Sequence, residues 1–287
     1  MSKSVRAVRQ IIHPQQVIEG AGVLLRRSFG PSAENLFDPF LLFDHFAFDE
    51  PIEGPIMGFP THPHRGIETV TYMLAGNVRH RDSLGNTGII GPGAIQWMTS
   101  GRGILHEEMP KRGPDGRVNG FQLWVNLPAA KKMTAPRYQE VEAADIPVAE
   151  KGGTNVRVVA GAFNGTQGPV SEIAAQPLYM DVQLDAGGEF EIALPAEHTA
   201  FAYVFEGGGI FGGETGPYAQ AVHMLAFGEG EHILARTDEG LRFLLMAGAP
   251  FREPVAAYGP FVMNTPEEIQ QAFADLRNGT FVENSAI

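Results

Sequence analysis

IETVTYMLA, residues Ile67–Ala75, is rich in β-branched and aromatic side chains and ends at the turn dipeptide Gly76-Asn77. It reads as a strand with its turn attached. Working outward, Gly85-Asn86 marks the next turn. Gly88–Thr99 (GIIGPGAIQWMT), Ile104–Met109 and Gly120–Leu127 (GFQLWVNL) follow as further strand-like runs. Upstream, Val5–Ile12 and Val17–Arg26 have the same character. Short strands at this spacing, divided by turn signals, predict an all-β sandwich or barrel. The first half contains no long amphipathic helical pattern.

A junction lies at Ala129–Glu150, with AAKKM, two prolines (Pro136, Pro147) and the acidic Glu140, Glu142 and Asp145. Gly152-Gly153 then opens a second β-rich stretch: Val156–Ala160, Leu178–Leu184, Ala200–Glu206, His223–Phe227 and Leu241–Ala247. The halves read as a diverged repeat. TYMLAGNV (Thr71–Val78) lies on AYVFEGGG (Ala202–Gly209) at an offset of 131 residues, and Gly91–Thr99 falls near Gly228–Arg236. Glycine-rich Gly207–Gly213 lacks the lysine of a phosphate-binding loop and reads as a turn. The C-terminal segment differs. Thr265-Pro-Glu-Glu268 is a capping box, Ile269, Phe273 and Leu276 form one apolar stripe, and Asn278-Gly279 supplies the stop. One amphipathic helix packed on a barrel surface is expected.

Composition narrows the function classes. The chain has 287 residues, enough for two domains at about 100–200 residues each. Its net charge of −12 repels phosphate backbones and argues against direct nucleic-acid binding. With no cysteine, disulfides, thiolate catalysis and structural zinc-thiolate sites are excluded. No apolar run approaches the ~20 residues of a membrane span, and the N-terminus lacks a stretch of signal-peptide length. A soluble, cytoplasmic protein without a membrane partner is expected.

The chemistry concentrates in two pairs. His62-Pro-His64 is an H-x-H just before the strand at Ile67, and His106-Glu-Glu108 is an H-x-E on another strand-like run. Residues two apart on a strand share a face, so each pair aims both donors one way. Nitrogen and oxygen donors from two strands suit a first-row divalent metal. Spacing leaves the carboxylate open. Glu68 has the parity of His62 and His64, Glu108 has that of His106, and Glu107 points the other way. The remaining histidines, His13, His45, His80, His198, His223 and His232, are isolated and read as surface or satisfied core residues. Gly101-Arg-Gly103 shapes the loop before His106. Trp97, Met98, Leu105, Met109, Phe121 and Trp124 are large apolar residues around that pair, suited to core or to the wall above a metal.

At these residues the sequence resembles the pirin family of the cupin superfamily. The segments are Asp38–Phe46 (DPFLLFDHF), Phe59–Val70 (FPTHPHRGIETV), Gly91–Pro110 (GPGAIQWMTSGRGILHEEMP), Gly120–Leu127 and Gly259–Thr265 (GPFVMNT), spread over nearly the whole chain. The resemblance implies a bicupin: two antiparallel jelly-roll barrels facing each other. It implies a metal-binding N-terminal barrel over residues 1–137, and a metal-free C-terminal barrel with the terminal helix over 138–287. It implies one divalent ion per chain, Fe(II) in preference to Mn, Ni, Cu, Co or Zn, held by His62, His64, His106 and Glu108 rather than Glu68. The offset of 131 sets Ala193 and Pro195 against His62 and His64, consistent with a second barrel that lacks the site.

The expected function is a quercetinase-type dioxygenase. Its substrates would be O2 and a small flavonol-like aromatic, with Glu108 as the catalytic base that accepts the substrate hydroxyl proton. Two other readings use the same ligands: a metal- or redox-responsive interaction protein with a protein partner, of transcription-cofactor type, and a different cupin reaction on a small metabolite.

Overall fold

The computed structural model describes residues 4–48 and 58–282. In chain order the strands of the first half are β1 (Val8–Ile12), β2 (Gln15–Glu19), β3 (Val23–Phe29), β4 (Phe40–Phe48), β5 (Phe59–His64), β6 (Ile67–Ala75), β7 (Asn77–Asp82), β8 (Thr87–Ile90), β9 (Ile95–Thr99), β10 (Ile104–Lys111), β11 (Val118–Asn126) and β12 (Arg137–Val141). The second half adds β13 (Val148–Lys151), β14 (Thr154–Ala160), β15 (Ala162–Phe163), β16 (Thr166–Gln167), β17 (Leu178–Leu184), β18 (Glu189–Ala193), β19 (Thr199–Phe211), β20 (Tyr218–Gln220), β21 (His223–Phe227), β22 (His232–Arg236), β23 (Leu241–Gly248), β24 (Ala256–Tyr258), β25 (Phe261–Met263) and the helix α1 (Pro266–Asn278). Among the described residues no helix is long and apolar enough to cross a membrane.

The chain forms two compact units, Gln15–Ala144 with Phe251–Ile287, and Met1–Pro14 with Asp145–Pro250. In the first, a seven-stranded antiparallel sheet runs β12-β9-β6-β11-β4-β3-β2, and a four-stranded sheet runs β5-β10-β7-β8. Leu25, Phe46, Met73, Val78 and Ile90 fill part of the core. In the second, one path runs β1-β21-β19-β23-β17-β14-β13, while β20 and β22 pair with the far half of β19 and β18 pairs with β22.

These orders match strand for strand. The centre β9-β6-β11 corresponds to β21-β19-β23, and β5-β10-β7-β8 to β18-β22-β19-β20. The repeat therefore exists, with one slip. Gly228–Arg236 runs into β22, the counterpart of β10, whereas Gly91–Thr99 runs into β9. The Gly207–Gly213 stretch is not a simple turn, because β19 continues to Phe211 and serves both parts of its sheet, with a register shift between Val204 and Glu206. Val17–Arg26 is two strands, β2 and β3, joined through Gly20 and Gly22.

A single cut at 137/138 does not describe these units. β12 closes the edge of the first sheet beside β9, and the matching edge beside β21 is taken by β1 from the N-terminus. Covering an edge satisfies its row of backbone donors and acceptors. Buried Arg6 anchors that segment, its guanidinium donating to the carbonyls of Gly230, His198 and Pro195. The helix joins the first unit instead. Thr265 and Glu268 close the capping box, and Gly279 ends the helix at φ 71°. Ile269, Ala272 and Phe281 pack with Phe261 and Met263.

Candidate metal centre

The two donor pairs sit on paired strands. β5 and β10 run antiparallel with His62 opposite His106 and His64 opposite Ile104. Along β10, Ile104, His106, Glu108 and Pro110 are buried while Leu105, Glu107 and Met109 are half-buried, so the alternation of a pleated strand turns His106 and Glu108 inward. His62, His64 and His106 form the one group of three or more metal-binding side chains among the described residues, their ligand atoms all within 4.8 Å of one another. His62 Nε2 lies 3.0 Å from both His64 Nε2 and His106 Nε2.

That crowding has a chemical reading. His62 Nδ1 lies 2.9 Å from the Pro60 carbonyl and His64 Nδ1 lies 3.3 Å from the Pro260 carbonyl. A carbonyl only accepts, so each ring places a proton on Nδ1 and turns its Nε2 toward the other rings. Burial, with His62 nearby, pushes His64 down to about 3, and burial likewise holds His106 well below the usual histidine range. His64 and His106 are held neutral, and their Nε2 atoms, each 3.0 Å from His62 Nε2, are free to turn lone pairs toward one cation. Three imidazole nitrogens with a carboxylate nearby would suit a first-row divalent ion.

Glu108 is buried on the same inner face, with Oε2 4.0 Å from His106 Nε2 and Oε1 3.1 Å from the Thr71 hydroxyl. Burial pushes its carboxyl up. Glu68 faces elsewhere. β5 and β6 lie in different sheets, joined through Gly66 at φ 82°, so the parity of His62 and His64 does not carry across. Thr71 points at Glu108, hence Glu68 lies on the opposite face of β6, where it accepts from the Thr99 hydroxyl at 2.7 Å. Glu107 points outward, 3.4 Å from Arg81 Nε. His80, set aside as isolated, is buried opposite Glu108 on β7 and pairs with Glu140 at 2.8 Å. Gly88 makes room for that pair, since a Cβ there would lie 2.8 Å from His80 Nε2.

A cavity of about 440 Å³ opens onto His62, His64 and Glu108. Leu25, Leu42, Phe46, Phe59 and Trp124 form its apolar walls. Trp97 and Phe121 are fully buried, and by register with Val70 and Tyr72 they sit on the other face of the sheet. Sequence reasoning missed Gln122, Arg27, Asp44 and Glu19, which also line the cavity, and Pro260, whose carbonyl backs His64. For Pro260 a signal was present: GPFVMNT stood out as a motif with no assigned role. The chain reaches His64 from there through several ties. Buried Lys132 donates to the carbonyls of Gly66 and Val262 and to Asn126 Oδ1. Buried Arg65 donates to the Arg102 carbonyl, pairs with Asp275 at 2.6 Å and stacks over the Phe281 ring. A side chain at Gly66 would run into the Val262 carbonyl, which is why glycine follows H-P-H-R.

In the second unit the corresponding strands β18 and β22 turn Phe190, Ile192, Ile233 and Ala235 into an apolar core. His232 lies 3.1 Å from Glu191, whose side chain is 44% exposed.

Residues 22–125 match the pirin family model and residues 179–282 match the pirin C-terminal cupin domain. The chain belongs to the pirin family. A pirin-like protein of Caulobacter vibrioides is 47% identical over 96% of this chain and 99% of its own length. Human pirin is 42% identical over 97% of this chain and 94% of its own. Among solved structures, a quercetin 2,3-dioxygenase from Acinetobacter baumannii superposes with a TM-score of 0.86 at 33% identity, covering 96% of this chain and 98% of that one. The fold of this pirin is accordingly a bicupin, all-β with one C-terminal helix.

Proposed function

We propose that this pirin is a metal-dependent dioxygenase of quercetinase type, with one divalent ion per chain held in the first barrel by His62, His64, His106 and Glu108. The observation that carries the reading is the convergence of three imidazoles, with His62 Nε2 3.0 Å from His64 Nε2 and from His106 Nε2, beside an apolar-walled cavity lined by His62 and His64. The kinship with a protein named quercetin 2,3-dioxygenase supports the substrate class. Nitrogen and carboxylate donors without thiolate suit Fe(II), Mn, Ni, Co, Cu and Zn, and the resemblance to pirins puts Fe(II) first among them.

When bound, the ion supplies Lewis-acid activation of a substrate hydroxyl and redox access to O2. The protein supplies the rest. Leu25, Leu42, Phe46 and Trp124 hold a flat aromatic and exclude water. Glu108, kept basic by burial and oriented by the Thr71 hydroxyl, accepts the hydroxyl proton as the substrate becomes reactive. The carbonyls of Pro60 and Pro260 fix the two ring orientations of the H-x-H pair.

The test is elemental analysis followed by oxygen uptake with quercetin, expressed per bound metal. One equivalent of metal and steady oxygen consumption support the reading. Iron-loaded protein that takes up no oxygen across a flavonol panel refutes it and leaves the metal-responsive interaction role for the same ligands.

A further inference from the structure

A continuous row of polar side chains crosses one face of the seven-stranded sheet. The register sets Glu140 beside Gln96, Gln96 beside Thr71, Thr71 beside Gln122, Gln122 beside Asp44, and Asp44 beside Arg27. Inward positions of small barrels are ordinarily filled by apolar side chains. One end of the row serves the metal centre, because the Thr71 hydroxyl reaches Glu108. The other end, Gln122, Asp44 and Arg27, lines the cavity together with Glu19.

The cavity end has a definite hydrogen-bonding character. Arg27 donates from Nε and an Nη to both oxygens of Asp44, at 2.8 and 2.7 Å, and from its other Nη to Glu19 at 2.7 Å. Three of its five N–H donors are therefore in use. Each carboxylate oxygen keeps a further lone pair, and one cation against two anions leaves the trio at −1. This wall offers carboxylate acceptors within a net negative field. It welcomes a hydroxyl donor and repels an anion. Strands about 4.8 Å apart put Asp44 about 10 Å from Thr71, two strands away. That separation matches the length of a flat molecule with rings at both ends.

We infer that Asp44, clamped by Arg27 and backed by Glu19, anchors the far-ring hydroxyl of a flat phenolic substrate and selects against ligands carrying an anionic group there. This rests on the flavonol reading of the cavity.

The test is anaerobic calorimetric binding to the metal-loaded protein, so that no turnover intervenes. Three probes differ only at the far ring: galangin with no hydroxyl, kaempferol with one, and the matching 4′-carboxylate. Wild type should bind kaempferol about tenfold tighter than galangin, the low end for a hydrogen bond to a charged acceptor. Asp44→Asn should shrink that ratio to about threefold or less. Glu19→Gln, at a half-exposed position that folding tolerates, should tighten the carboxylate probe about threefold or more by removing one negative charge. Should Asp44→Asn fail to fold, the Glu19→Gln arm decides. Equal wild-type affinity for galangin and kaempferol, or an unchanged ratio in Asp44→Asn, overturns the anchor while leaving the flavonol reading intact. No binding of any flavonol defeats that reading and the anchor with it.

Discussion

Asp275→Asn tests whether the C-terminal helix maintains a metal centre formed by strands far from it in sequence. Asp275 Oδ2 sits 2.6 Å from Arg65, whose side chain is only 4% exposed, against 19% for Asp275. Arg65 would keep the Arg102 carbonyl and the face of Phe281 but lose its counter-charge. Breaking a fully buried pair costs about 3–5 kcal/mol. The partial exposure of Asp275 lowers this to about 2–3 kcal/mol, the range of a hydrogen bond to a charged group. For a chain of this size that is a drop in melting temperature of roughly 5 °C. The effect should also reach the metal. Arg65 follows His64 directly, and the Val262 amide bonds to the Arg65 carbonyl, two residues beyond the Pro260 carbonyl that backs His64. Loss of such outer support typically weakens metal affinity about 10–100-fold. Calorimetric melting of the metal-free protein and competition against a chelator measure the two effects separately. Wild-type melting and affinity together in Asp275→Asn would refute the coupling of helix to site.

Three further outcomes are expected. Glu108→Gln should retain some metal through the three histidines yet lose flavonol turnover per metal by about 10²–10⁴-fold, while Glu107→Gln, aimed outward, should leave both intact; oxygen electrode rates with metal analysis check this. Gly66→Ala should cost more than about 1 kcal/mol from its left-handed backbone alone and weaken metal binding by displacing Val262, read by denaturant melts and metal titration. Burial lowers Lys132 to about 8, below the usual lysine value of 10.5, so the folded state sheds this proton before the unfolded state does. The penalty is complete below pH 8 and is relieved between pH 8 and 10.5, so wild type should gain on Lys132→Met by up to about 3 kcal/mol across that window in paired denaturation curves.

The sequence by itself determined the elements and the local donor pairs. Strand-like composition bounded by turn signals located β6, β17 and β21 to the residue, because both signals act within a few positions. The alternation of a strand put His106 and Glu108 on one face and Glu107 on the other, as the burial of β10 shows. The capping box and apolar stripe foretold α1 for the same local reason. Glu68 marks where this kind of reading ends. Its parity with His62 and His64 is real along the chain but is broken at Gly66, where the backbone passes from one sheet to the other. The slip of Gly228–Arg236 by one strand has the same origin, since only pairing distinguishes the counterpart of β9 from that of β10. Tertiary structure alone decided which terminus completes which barrel, because an edge strand is chosen by the open backbone groups it can satisfy rather than by its own pattern. It alone brought Pro260 to His64 and lined up Thr71, Gln122, Asp44 and Arg27 across four strands. Cross-strand neighbours are set by register, a relation between residues as far apart as Val8 and Phe227 that no single stretch of chain encodes.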